Sequence, residues 1–138
     1  METKKVTVQS SVNAPIEKVW DYWNAPEHIT KWNAASPDWH TPKSENDLRA
    51  GGRFTSRMEA KDGSFGFDFG GTYDEVVEHQ SIRYTMDDGR QTDITFTSDG
   101  NGTKVVETFD AETQNPVEMQ QAGWQAILDN FKKYTEEN

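Results

Sequence analysis

The chain has 138 residues, about the size of one domain, and contains no cysteine, which excludes disulfides, thiolate metal sites and cysteine nucleophiles. Fourteen Lys and Arg against 24 Asp and Glu give a formal net charge of −10, which argues against nucleic acid or an anionic membrane as a partner. Only 33% of the residues are hydrophobic, yet 12% are aromatic, so large flat side chains either fill a core or line a cavity.

The first third of the chain predicts one strand and two short helices. Alternating valines over 4–12 indicate a half-buried strand. Asn13 can cap a helix and Pro15 suits its first turn, while Pro26 begins a second short helix. Mixed polar residues and two prolines over 33–43 predict a loop. The apolar face of the first helix carries Ile16, Val19, Trp20 and Trp23, and that of the second carries Ile29 and Trp32.

The middle of the chain, from Asp47 to Phe109, predicts a meander of antiparallel strands. Apolar residues alternate with polar ones, and short Asp/Asn/Gly segments typical of hairpin turns separate the runs. We expect Gly70 and Gly71 to mark a bulge or a tight bend within one strand. The predicted turns are Asp62-Gly63, Asp87-Asp88-Gly89 and Asp99-Gly100-Asn101-Gly102.

A long amphipathic helix is predicted at the C-terminus. Asn115 can cap it, Pro116 suits its first turn, and Glu118 occupies the capping-box position. Gln120 falls near the middle of the apolar stripe, so its amide must find a partner or meet a ligand. The stripe consists of Gly123, Trp124, Ile127, Leu128, Phe131 and Tyr134, and the opposite face of Gln121, Gln125, Asp129, Lys132 and Glu136.

Five segments together resemble the bacterial activator of Hsp90 ATPase homolog 1-like family, within the SRPBCC (START/Bet v 1-like) superfamily. The resemblance implies an α+β helix-grip fold in a single domain, 1–138. In it, a curved antiparallel sheet of about six or seven strands wraps a long C-terminal helix around an apolar cavity, with two short helices after the first strand. The segments are Asn13–Trp20, Pro26–Trp32, Asp47–Phe54, Gly71–Val76 and Gly123–Phe131.

The sequence lacks the usual signatures of catalysis and cofactor binding. His28, His40 and His79 are widely separated, with no pair at the i, i+4 spacing of a helical metal site. There is no Gly-x-Ser-x-Gly elbow, phosphate-binding loop or dinucleotide fingerprint. We therefore expect no metal and no cofactor. An N-terminus without an apolar signal segment predicts a cytoplasmic protein, and no run is long and apolar enough to span a membrane.

Glu107 is the candidate for acid–base chemistry. It points inward if Val105 and Phe109 face the helix, and outward if Val106 and Thr108 do. The pattern of the family it resembles favours the inward orientation. An inward carboxyl would have a raised pKa and could act as a general acid or base, or accept a hydrogen bond from a ligand.

The remaining candidates are ligand-binding residues. His40 either guards a cavity mouth beside Trp39 or is simply exposed at the surface, and each aromatic residue either lines a cavity or fills the core. Trp20 is interpreted as core. The predicted ligand-binding residues are Trp32, Trp39, His40, Phe54, Met58, Phe67, Phe69, Tyr84, Met86, Phe96, Glu107, Gln120 and Trp124.

Three functions remain open. The favoured one is binding of a small, largely apolar ligand, aromatic or lipid-like, between the sheet and the C-terminal helix; the negative charge favours neutral over acidic ligands. The second is a cyclase or hydrolase-type enzyme that uses an inward carboxylate in the same cavity. The third is an Hsp90-associated protein, implied by the family name, although the chain has no room for the second chaperone-binding domain of the eukaryotic activator. An exposed edge strand would permit a homodimer.

Overall fold

A computed structural model describes residues 4–34 and 36–138; Met1–Thr3, at the start of the segment inspected for a signal, and Ala35, in the predicted loop, lie outside this range. Within the described residues, three helices and seven strands form the fold. The N-terminal elements are β1 (Lys5–Val12), α1 (Ile16–Asn24), α2 (Pro26–Trp32) and β2 (Trp39–Asn46). The rest are β3 (Arg53–Ala60), β4 (Gly66–Val77), β5 (Ser81–Met86), β6 (Gln91–Asp99), β7 (Gly102–Asp110) and α3 (Val117–Glu137). No described helix is long and apolar enough to cross a membrane.

All seven strands belong to one antiparallel sheet in the order β1-β7-β6-β5-β4-β3-β2. Strands β2 to β7 form a meander, and β1 pairs with β7 from Lys5↔Asp110 to Val12↔Thr103. The curved sheet, the two short helices and the long C-terminal helix form the predicted helix-grip fold. The core lies where α1 and α3 cover the sheet, and its completely buried large residues include Phe109, Phe131, Ile94, Leu128 and Val105.

The polar face of α3 has a structural role at the edge of the sheet. Strand β1 is an edge strand, whose free carbonyls would otherwise be open to pairing with another chain. Three side chains on one face of α3 donate hydrogen bonds to these carbonyls. The bonds run from Gln121 to Thr7 (3.3 Å), from Gln125 to Gln9 (3.1 Å) and from Lys132 to Ser11 (2.8 Å). The polar face of α3 therefore bonds to β1 at the edge of the sheet and is also exposed to solvent.

The predicted loop over 33–43 is wrong in its second part, because β2 begins at Trp39. The sequence of β2 does not alternate cleanly between apolar and polar residues, and Pro42 lies inside it. A register shift between His40 and Lys43 accommodates the proline on this edge strand. The edge is covered locally, since Thr41 Oγ1 donates to the Asn33 carbonyl at 2.6 Å.

Gly70 and Gly71 do not form the predicted bulge. The β3–β4 register runs through both glycines without a break, and the irregularity of β4 lies later, between Tyr73 and Glu75. The reason for glycine here is close approach: a Cβ on Gly71 would lie 2.4 Å from the Thr85 carbonyl oxygen. The strand therefore requires the absence of a side chain at this position.

The predicted side-chain caps are also absent. Helix α1 begins after Pro15 and α3 after Pro116, in both cases without a side-chain hydrogen bond at the cap. The Asn13 N–H donates to Glu136 Oε2 at 2.7 Å, and the Asn115 N–H donates to Glu112 Oε1 at 2.8 Å. Both asparagines thus belong to the turns that precede the helices, and each proline takes the position next to the first helical residue.

Candidate functional site

A cavity of about 450 Å³ lies between the sheet and the helices. Strands β2 to β7 all contribute to its wall, α3 contributes residues between Gln120 and Ile127, and α1 and α2 close one side with Trp23 and Trp32. Phe67 lines the cavity and is 41% exposed, so the cavity opens to solvent at this end. There Trp39 lies with its ring centroid 6.0 Å from that of Phe67, at the mouth.

Most of the predicted ligand-binding residues line this single cavity. They come from five different strands and two helices, and alternation along each strand or helical periodicity directs them to the same interior space. Those that line it are Trp32, Trp39, Phe54, Met58, Phe67, Phe69, Tyr84, Glu107, Gln120 and Trp124.

Three predicted residues do not line it. Phe96 is 4% exposed and packs its ring edge-to-face against Trp20, with centroids 5.2 Å apart, so it belongs to the core. Met86 is buried in the core opposite Gly71. His40 is not among the lining residues; its Nε2 lies 3.9 Å from Glu59 Oε1 and its side chain is 43% exposed. Alternation could not separate core from cavity wall for Phe96 and Met86, because both lie on the same face of the sheet as the wall.

Other lining residues were not predicted. Trp23 was assigned to the packing face of α1, and the β2 residues fell in or beside a predicted loop, where no periodicity identified an inward face. The missed residues are Trp23, Asn24, Ile29, Asn33, Ser36, Ser44, Glu45, Asn46, Ser56, Tyr73, Ile82, Ile94, Gly123 and Ile127.

Glu107 points into the cavity. Its neighbours two residues away on β7, Val105 and Phe109, are both completely buried, and Glu107 itself is 6% exposed. It pairs with Ile94 on β6 and Val8 on β1, so apolar residues flank it on both sides. No other described residue forms a hydrogen bond or an ion pair with its carboxyl group. Burial raises the pKa of Glu107 from 4.5 to about 8, which keeps the carboxyl largely protonated at neutral pH.

Tyr84 lines the cavity close enough to Glu107 for the carboxyl to affect its pKa. Burial, and then the Glu107 carboxyl, raise the pKa of Tyr84 far above its usual range, so its hydroxyl stays neutral. Burial also raises the pKa of Tyr73 to about 12. This region of the wall therefore carries neutral oxygen groups at neutral pH.

The Gln120 amide has found protein partners. Its Oε1 accepts from the Glu112 N–H at 2.8 Å, and its Nε2 donates to the carbonyls of Glu112 (3.0 Å) and Asn115 (2.8 Å). Gln120 thus ties the turn before α3 to the helix. Both of its N–H donors are used, so it lines the cavity without a free donor for a ligand.

Several other polar groups in the wall are also paired within the protein. Trp32 Nε1 donates to the Tyr22 carbonyl at 3.0 Å, and the Ser44 and Ser56 hydroxyls lie 3.0 Å apart. Asn46 Nδ2 donates to the Asn24 carbonyl at 2.7 Å. Within residues 4–34 and 36–138, no group of three or more His, Cys, Asp or Glu residues is arranged to hold a metal ion.

The fold is that of the helix-grip proteins of the SRPBCC superfamily. The family model described as activator of Hsp90 ATPase homolog 1-like protein matches residues 13–136, and the chain belongs to this family. No curated protein matches the chain.

Solved structures agree with this assignment. The AHSA1-like protein from Aeromonas hydrophila is 52% identical, with a TM-score of 0.91 over 97% of this chain and 93% of that one. A protein from Cytophaga hutchinsonii is 59% identical, with a TM-score of 0.84 over the same two shares. A protein from Nitrosomonas europaea has 19% identity and a TM-score of 0.83 over 96% of this chain and 94% of that one, a likeness of fold alone.

Proposed function

We propose that the protein binds a small, largely apolar ligand, aromatic or lipid-like, in the cavity between the sheet and α3. The observation that carries this proposal is the cavity itself: about 450 Å³, enclosed mostly by aromatic and aliphatic side chains and open at the Phe67 end. This volume lies within the range of about 300–1,000 Å³ typical of small-molecule sites. SRPBCC proteins commonly bind hydrophobic ligands, which supports the same function here.

The composition of the wall favours a neutral ligand. None of the described residues that line the cavity is Lys, Arg or His, so an anionic ligand would find no counter-charge. Glu45 and Glu107 are the acidic lining residues, and the chain as a whole has a formal net charge of −10. Desolvation of flat apolar surface against tryptophan and phenylalanine rings would supply most of the binding free energy.

Tryptophan fluorescence can test the proposal directly, because four of the five tryptophans line the cavity. We expect members of a panel of naphthalene derivatives and medium-chain alcohols to change the intensity or wavelength of this fluorescence and to raise the melting temperature. Gly123→Leu should abolish both effects, since nothing lies within 4 Å of a Cβ at Gly123 and the new side chain would enter the cavity. Ala122→Leu, on the exposed face of α3, is the matched control. Failure of every compound to change the fluorescence or to stabilise the protein would refute the proposal.

An enzyme is the second candidate, and the carboxyl of Glu107 is the observation that favours it. A buried acid with a pKa of about 8 is suited to proton transfer near neutral pH. The test is deuterium exchange at the methyl group of 2-acetylnaphthalene in D₂O, followed by NMR. If Glu107 is catalytic, exchange should be faster with the wild type than with Glu107→Gln. Equal rates would contradict the enzyme hypothesis and leave ligand binding as the proposed function.

Two partner predictions from the sequence stay predictions. The family name suggests a chaperone partner, and a free edge strand would allow a homodimer. Side chains of α3 occupy carbonyls along β1, and α2 packs beside β2, so the described edges offer a second copy little free backbone.

A further inference from the structure

The cavity wall contains a buried carboxyl group, that of Glu107, to which no other described residue bonds. The Glu107 side chain is 6% exposed, reaches the cavity from the middle of β7, and forms no hydrogen bond or ion pair with any other described residue. Gln120, Asn46, Ser44 and Trp32, which also line the cavity, all bond to protein atoms. Buried polar groups are normally satisfied, and an exception calls for an explanation.

The surroundings of Glu107 determine which partner it can take. Its strand neighbours and cross-strand neighbours are Val105, Phe109, Ile94 and Val8, all of them apolar. No described lining residue is a cation, and Tyr84, a titratable neighbour of Glu107 in the wall, carries a neutral hydroxyl. A carboxyl group in such an apolar site is held in its protonated form, in which it donates a hydrogen bond.

We propose that Glu107, as a neutral carboxylic acid, donates a hydrogen bond to a carbonyl oxygen of an otherwise apolar ligand, so that the cavity selects aromatic ketones or related neutral acceptors over pure hydrocarbons. This inference rests on the proposed ligand-binding function and specifies its ligand class. A neutral acceptor satisfies the carboxyl without bringing a charge into the cavity. An ammonium ligand would require Glu107 to ionise and both ions to lose water, which is costly in an apolar site.

The test compares two probes of nearly the same shape, 2-acetylnaphthalene and 2-isopropylnaphthalene, by tryptophan fluorescence titration at pH 6.5. In the wild type we expect the ketone to bind about tenfold more tightly than the hydrocarbon, the effect of one hydrogen bond to a buried polar group. Glu107→Gln keeps an N–H donor and should retain most of this preference. Glu107→Leu removes the donor and should abolish it. Glu118→Gln, the same change at an exposed carboxylate of α3 outside the cavity, is the matched control and should leave the preference unchanged.

The possible outcomes distinguish failure of the carbonyl preference from failure of the ligand-binding function. If the hydrocarbon binds and the ketone binds no more tightly, the carbonyl preference is wrong while the ligand-binding function stands. If neither probe binds while another compound of the panel does, the ligand-binding function stands and the ketone preference is wrong. If no compound of the panel binds, the ligand-binding function fails and the inference fails with it. If 1-(2-naphthyl)ethylamine binds more tightly than the ketone and loses that advantage in Glu107→Gln, Glu107 acts as an anion and the inference is overturned.

A measurement on the wild type alone guards against a variant that does not fold. The infrared carbonyl stretch of ¹³C-labelled 2-acetylnaphthalene should shift to lower frequency on binding, below its position in an apolar solvent. A bound stretch equal to that in the apolar solvent would mean that the carbonyl receives no hydrogen bond, and would overturn the inference.

Discussion

Two regions of the same sheet have similar sequence patterns but opposite packing. Where α1 and α3 cover β1, β6 and β7, inward residues such as Val105 (0% exposed) and Phe96 (4%) are completely enclosed. On β3 and β4, the inward Phe54 and Phe69 are half-buried and face the cavity, and Phe67 is 41% exposed. We call these the packed region and the hollow region.

The difference shows that alternation determines which face of a strand is inward but not whether that face is filled. Filling depends on how closely a helix approaches the sheet. In the packed region the Trp20 and Phe96 rings meet edge-to-face. In the hollow region the Phe54 and Phe69 rings lie beside each other in the wall, with their centroids 5.9 Å apart. Both rings border the cavity.

The largest expected effect comes from the same truncation in the two regions. Phe96→Ala should lower the free energy of unfolding by about 4 kcal/mol, because it removes a buried ring and leaves a new void among tightly packed neighbours. Phe69→Ala should cost about 1–2 kcal/mol, since that ring already borders empty space and less packing is lost. Urea unfolding followed by circular dichroism measures both.

Equal costs for the two truncations would break the comparison, because they would mean that the hollow region is packed as tightly as the core in solution. Ligand binding supplies a second readout. Phe69→Ala should weaken binding of 2-acetylnaphthalene, whereas Phe96→Ala, away from the cavity wall, should leave the affinity of the folded protein nearly unchanged.

The second-largest expected effect concerns Glu107, the buried carboxyl group at the boundary between the packed and hollow regions. With a pKa of about 8 in the folded state against 4.5 when solvated, Glu107 keeps its proton in the folded protein between these pH values and loses it in the unfolded chain. The folded state then binds more protons, so stability falls as pH rises through this window. At about 1.4 kcal/mol per pH unit, the loss reaches about 3 kcal/mol between pH 4.5 and pH 7.

Glu107→Gln cannot titrate, so its stability relative to the wild type should increase by the same amount over the same pH range. Urea unfolding of both proteins at a series of pH values measures this difference, in which the titrations shared by both proteins cancel. If the free energies of unfolding of the two proteins change with pH in parallel, Glu107 is solvated in the folded protein. It would then not mark a boundary between the packed and hollow regions.

The fold and much of the cavity wall could be predicted from the sequence, and particular residues show why. Alternation on β7 together with the family resemblance placed Glu107 on the inward face, and helical periodicity placed Gln120 and Trp124 on the stripe of α3 that meets the sheet. These inferences succeeded because the direction of a side chain follows from strand or helix geometry alone.

The remainder required the tertiary structure. Phe96 and Met86 share the inward face with the wall residues, and the position of α1 and α3 decides which of them are enclosed. Strand β2 was missed because an edge strand containing Pro42 has no clear periodicity. The partners of Gln120 are backbone groups of the turn at 112–115, and a main-chain acceptor leaves no mark in the sequence.

The smallest expected effect tests the empty space directly, at a glycine. Gly123 lies within α3, faces the cavity, and nothing lies within 4 Å of a Cβ placed on it. Gly123→Ala should therefore raise the free energy of unfolding by about 1 kcal/mol, because alanine favours the helix and the methyl group meets no neighbour. Gly71→Ala is the contrasting control: its Cβ would lie 2.4 Å from the Thr85 carbonyl oxygen, and the variant should be destabilised. Chemical unfolding gives both values. A destabilised Gly123→Ala would mean that α3 packs onto the sheet in solution and that the space at this position is closed.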